Sequence, residues 1–110
     1  MDWDITPTET KEYITIIGTD ASKLIYSSDN GFCYDNPLIA CDPLYRAIGT
    51  LNVDFEDIGP ADNGAVFDLD LGPLSPGQSV KFDMFYGVAP GEINALAALA
   101  KVGAEIASLA

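Results

Sequence analysis

Between residues 51 and 87 the chain alternates apolar and polar positions in three successive runs. In "LNVDFED" (51–57), Leu51, Val53 and Phe55 share one face, and Asn52, Asp54 and Glu56 the other. In "AVFDLDLG" (65–72), Ala65, Phe67, Leu69 and Leu71 face inward while Asp68 and Asp70 face water. In "SVKFDMFYG" (79–87), Val80, Phe82, Met84 and Tyr86 take the inner positions and Lys81 and Asp83 the outer ones. A period of two is the signature of a strand buried on one side. The links "IGPADNG" and "GPLSPGQ" are rich in Gly, Pro, Asp and Asn, which supply positive φ or pre-set turns. Together these runs predict an antiparallel meander with one wet face.

The first half is less regular. "KEYITIIG" (11–18) and "KLIYSS" (23–28) are β-branched and aromatic and predict two more strands, and "MDWDI" at the start reads as a fragment of another. Residues 29–46 carry Asp, Asn, Gly, two prolines and both cysteines and read as a long loop. After Gly87 the texture becomes alanine- and leucine-rich. Leu96, Leu99, Val102, Ile106 and Leu109 line one side of a helix predicted over about 91–109, with Pro90 and Glu92 suited to its start. The helix is expected to dock on the strands. Ala97, Ala100, Gly103 and Ala104 would also permit close packing against another subunit. Its apolar run is interrupted by Lys101 and Glu105, which argues against membrane insertion.

At 110 residues the chain is read as a single domain, 1–110, with strands over about 1–87. A hydrophobic content of 48% argues against disorder. The 17 acidic residues, five basic ones and absent histidine give a net charge of −12. Nucleic acid is therefore not an expected partner, because phosphate contacts need Lys and Arg. Cations, basic partners or a salty medium suit such a surface better. Met1 is followed by Asp-Trp-Asp, so no signal peptide is legible. The chain is then cytosolic, or the segment is mature or excised.

Cys33 and Cys41 bracket "CYDNPLIAC". A disulfide between them would staple a small loop and place the protein in an oxidising compartment; two free thiols are the alternative. A zinc site would need carboxylates to complete it. Without histidine no Ser–His or Cys–His pair can exist, and none of the four lysines sits in a recognisable motif. Asp2 and Asp4 flank Trp3 and would share a strand face, which reads more simply as a solvated face than as a carboxylate pair. No catalytic residues and no organic cofactor are expected.

Calcium is the strongest candidate ligand. "DFEDIGPADNGAVFDLD" gathers Asp54, Glu56, Asp57, Asp62, Asn63, Asp68 and Asp70 around one turn, and Asp54, Asp57, Asp62 and Asn63 are the expected ligands. Hard oxygen donors on such a turn are what Ca²⁺ takes, although the spacing is not that of an EF-hand. Outward-facing strand acids and a polar turn account for the same residues without a metal. "SSDNG" (27–31) is a weaker candidate. A sugar would use exposed aromatics, of which Trp3, Tyr13, Tyr26, Tyr34, Tyr45 and Phe85 are available, Phe85 on the outward register of its strand.

The run "LSPGQSVKFDM" resembles the Leu-x-Pro-Gly-x-Ser-Val-x-Phe hairpin of bacterial extracellular immunoglobulin-like modules. "MDWDITPTETKEYITIIGT", "GPADNGAVFDLDLGPLSPGQSV" and "FYGVAPGEINALAALAKVGAE" extend the resemblance to β-sandwich domains of large secreted bacterial proteins. It implies a mainly β fold, an antiparallel immunoglobulin-like β-sandwich with one C-terminal α-helix, and an extracellular or cell-surface location. It brings no catalytic residues with it. The pattern predicts six strands, where such a sandwich has about seven or more, so an N-terminal strand is missing from the segment or donated by a neighbour. The expected role is structural or adhesive, through protein partners or self-association. A subunit of a self-assembling fibre with strand exchange, or a calcium- or sugar-binding module, are the alternatives.

Overall fold

The structure, a computed structural model, describes residues 11–32, 39 and 42–110. The expected first strand with Asp2, Trp3 and Asp4, the aromatic Tyr34, and the Cys33–Cys41 disulfide all lie outside the described residues. The chain is mainly β, with two antiparallel sheets and one C-terminal helix of any length. Its elements are β1 (Glu12–Ile17), β2 (Leu24–Ser28), α1 (Pro43–Arg46), β3 (Phe55–Ala61), β4 (Val66–Leu69), α2 (Glu92–Val102) and β5 (Ala107–Leu109).

The strands predicted at 11–18 and 23–28 form as β1 and β2. β1 is β-branched at Ile14, Thr15, Ile16 and Ile17 and is the centre of a three-stranded sheet ordered β3-β1-β5. Its Ile14 and Ile16 are 1% and 0% exposed and form the core with Ala65, against which Phe55, Ile58 and Phe67 pack. Gly18 ends the strand at φ 83°, and a Cβ there would run into the backbone carbonyl of Glu105. Only glycine permits that close approach of the segment leading into β5.

β3 departs from the expected strand at 51–57. It begins at Phe55 and runs through "IGPA", residues that the sequence pattern assigned to a turn. The register explains the difference. Glu12, Ile14 and Ile16 pair with Ala61, Ile58 and Phe55, so β3 spends three residues for every two of β1. Two bulges absorb the excess, one on each side of Ile58, and the positive φ of Asp57 (51°) falls between Phe55 and Ile58. The inward positions therefore recur at a spacing of three, a pattern that a period-two template cannot see. Val53, expected inside, is exposed, and Leu51 instead bridges to Ser28.

β4 lies where "AVFDLDLG" predicts it but pairs with β2, not with a meander neighbour. Tyr26 faces Asp68 across this two-stranded sheet. Arg46, at the end of α1, lies over both. Its guanidinium is 3.9 Å from the centre of the Tyr26 ring and 2.7 Å from Asp68 Oδ2, and its carbonyl accepts from the Tyr26 hydroxyl at 2.8 Å. Asp42 caps α1 by accepting from the Leu44 N–H. The segment after α1 is tied to the end of β2: Ser28 Oγ donates to Ile48 O, and Thr50 N–H donates to Asp29 Oδ1 at 2.7 Å.

Two further expectations are corrected. Residues 79–87 form no strand among the described residues, and Val80, Phe82, Met84 and Tyr86, expected inside, are 45–63% exposed. The meander predicted from 51–57, 65–72 and 79–87 is thus absent. The helix predicted to reach 109 ends at Val102, where Gly103 adopts φ 68° and its N–H returns to the carbonyls of Leu99 and Ala100. The chain then turns, and β5 fills the free edge of β1, pairing Thr15 with Leu109 and Ile17 with Ala107. None of the residues of α2 is buried, and among the described residues no helix is long and apolar enough to cross a membrane.

Because the core sits on β1, replacing Ile16 with Ala should cost about 3 kcal/mol in urea denaturation. Phe82→Ala should change monomer stability by no more than about 0.5 kcal/mol, since its ring is exposed.

Candidate functional site

The acidic residues around the β3–β4 turn are dealt out to separate tasks. Asp54 caps the loop after β1: its Oδ1 accepts from the Thr19 hydroxyl (2.6 Å) and the Thr19 N–H (2.8 Å), and its Oδ2 from the Gly18 N–H (3.2 Å). The Thr19 hydroxyl first, then the Thr19 and Gly18 N–H groups, hold this carboxyl below its ordinary value, and slight burial opposes them. Asp68 is held by Arg46, and Asp70 accepts from the Gly72 N–H at 2.8 Å.

Asn63 is buried and ties off the end of β3. Its side-chain amide donates to the carbonyls of Glu12 (3.1 Å), Ile58 (3.4 Å) and Ala61 (3.5 Å), and its N–H donates to Glu12 Oε2 at 3.4 Å. The side chain of Glu12 is buried with it, and its Oε1 has no hydrogen-bond partner. Asn63 and the exposed Asp62 also line an open cleft of about 380 Å³ with Asp29, Asn30, Tyr45, Ile48 and Gly49. At Gly49 the backbone stands at φ 101° against the Asp29 carboxylate, leaving no room for a Cβ.

The four expected calcium ligands are therefore spread out: Asp54 on the β1 loop, Asp57 in the bulge of β3, and Asp62 and Asn63 at the cleft. Among the described residues, the carboxylates that come together are Glu56, Asp57 and Glu92, with ligand atoms within 4.8 Å of one another. Thr15 joins two of these residues. Its hydroxyl oxygen accepts from the Asp57 N–H (3.1 Å), which the bulge turns out of the ladder, and donates to Glu92 Oε1 (3.3 Å) at the start of α2. Three carboxylates supply part of the six to eight oxygens that Ca²⁺ takes. Glu92 was invisible as their neighbour because 35 residues separate it from Asp57; its place at a helix start was the one cue.

Ser27, Ser28 and Asp29 of "SSDNG" are buried and serve the fold, as the bonds to Ile48 and Thr50 show. Of the candidate sugar-stacking aromatics, Tyr45 lines the cleft, Tyr26 is covered by Arg46, and Tyr13 and Phe85 are exposed elsewhere.

Comparison with known protein families, characterised proteins and solved structures finds no match to this chain.

The Asp54 cap gives a pH signature. A carboxyl with a lowered folded value stabilises above its unfolded value of about 3.9, and that contribution is lost as pH falls through the folded value. Asp54→Ala should cost about 1 kcal/mol at pH 7, the loss of a cap in an exposed loop. The gap between variant and native protein in urea melts should hold to about pH 5 and close towards pH 2.

Proposed function

We propose that the chain is a non-catalytic structural or adhesive module of an extracellular or cell-surface protein, an immunoglobulin-like β-sandwich that works through contact with other proteins. One observation carries this reading: the sequence's cleanest amphipathic run, 79–87, presents its apolar side chains to solvent. Monomeric domains rarely leave a contiguous apolar strip uncovered, and such strips mark contact surfaces. The two antiparallel sheets support the sandwich. Among the described residues only β1 has a neighbour on both sides, so there β2, β3, β4 and β5 each present an edge. An edge strand offers free N–H and C=O groups to another chain. With no histidine in the sequence, contact is a better use of this surface than acid–base turnover.

A second reading, a subunit of a self-assembling extracellular fibre, draws on the same edges and the same run. The location is tested on intact cells of the source organism with a membrane-impermeant amine reagent. Modification of the exposed Lys23 and Lys101 is expected on whole cells. Protection until the cells are lysed would overturn the surface assignment.

A further inference from the structure

The run 79–87 carries its own complement. Between Asp70 and Glu92 the charged residues are Lys81 and Asp83, so this stretch is neutral within a chain of net charge −12. Lys81 Nζ and Asp83 Oδ1 are 3.6 Å apart and well exposed, as residues two apart on one side of an extended chain would be. Val80, Phe82 and Met84 alternate with them, and Phe85 and Val88 follow; all five are exposed, Val88 completely.

We propose that Ser79–Phe85 pairs antiparallel with the same run of a second copy of this chain, forming a two-fold dimer centred on Phe82. In that register Lys81 of each copy stands opposite Asp83 of the other. Phe82 faces Phe82, and Val80 faces Met84 across the pair. A two-fold contact requires a surface that complements itself, and the order Lys-Phe-Asp does so when reversed. The charges also select the register. Parallel pairing would set Lys81 against Lys81. A shift of two residues in either direction would oppose two lysines or two aspartates, which is destabilising, and a shift of one would set each charge opposite an apolar residue of the other face.

The area is sufficient for a dimer. Taking about 200 Å² for a whole large side chain, Val80, Phe82, Met84 and Phe85, the four within the paired run, expose roughly 440 Å² of apolar surface. A standard interface covers about 800 Å² per partner, a little over half of it apolar. A basic protein partner would find only Asp83 as an anchor here, and an acidic one only Lys81. A second copy satisfies both.

This inference rests on the contact reading above, but its test is separate from the surface labelling. Sedimentation velocity across a wide concentration range should show a monomer–dimer equilibrium. Lys81→Asp and Asp83→Lys, each alone, set like charges opposite one another twice and should each weaken the dimer by about tenfold or more. Mixing the two variants restores opposite charges at both positions, and association should return as a heterodimer. Both side chains are exposed, so at concentrations where native protein and variants are monomeric, circular dichroism and melting temperature should be alike. A native chain that remains monomeric throughout would overturn the proposal. So would a dimer indifferent to the two swaps, or a mixture that associates no better than its components. Open-ended assembly in place of a dimer would also overturn it, and would favour the fibre.

Discussion

The fold depends on β1 being paired along both edges. Ile14 and Ile16 supply the centre of the core, and their backbone groups are closed by β3 on one side and, at Ile16, β5 on the other. The two neighbours come from far apart in the chain, one from residues 55–61 and one from 107–109. The loops that must close before the sheet is complete are therefore long, and closure is slow relative to local hairpin pairing. Among the described residues the buried apolar set is small. Polar anchors consequently carry much of the specification of the loops: Asp54 on Thr19, Asn63 on Glu12, Asp29 on Thr50, and Arg46 on Tyr26 and Asp68.

Thr15 shows how one position joins these parts. It lies on the face of β1 opposite Ile14 and Ile16, yet is itself buried. The bulge in β3 frees the Asp57 N–H, and the Thr15 hydroxyl takes it while donating to Glu92. An N–H displaced from a ladder must find another acceptor or be left unpaired at a cost of about 1–3 kcal/mol if buried. The same hydroxyl positions the first turn of α2, whose own N-cap, Gly91, offers no side-chain bond. The proximity of Glu56, Asp57 and Glu92 follows from this arrangement. It is a tertiary product of a bulge and a helix start, which is why the turn-centred set Asp54, Asp57, Asp62 and Asn63 did not anticipate it.

β1, β2 and β4 were legible because their β-branched and aromatic content and their alternation agree with the observed pairing. β3 was misplaced for a definable reason: bulges convert a period of two into a spacing of three, and Gly59 and Pro60 look like turn formers although they lie within the strand. The overrun of α2 has a similarly local cause. Gly103 supplies the left-handed residue that ends a helix, but Ile106 and Leu109 keep helical spacing from Val102 and mask the stop. In 79–87 alternation marks amphipathicity without membership of a sheet among the described residues. Alternation fixes which side chains want cover, and says nothing about what supplies it.

That distinction bears on how the acidic surface is used. Asp54, Glu56, Asp57, Asp62, Asp68 and Asp70 place negative charge on or beside β3 and β4, two of the four strands that present an edge among the described residues. Two copies approaching through those edges would bring like charges together within the screening length of about 10 Å at ordinary salt. Charge on edge strands is a common way of preventing unwanted pairing. The run between Asp70 and Glu92 is the exception, because its two charges cancel and its apolar residues face water. On the proposed pairing, acid beside β3 and β4 and a neutral, self-complementary strip would together direct association to that strip. The net charge of −12 and the exposed phenylalanines would then be two halves of one specification, the charge opposing contact at the edges and the neutral strip permitting it.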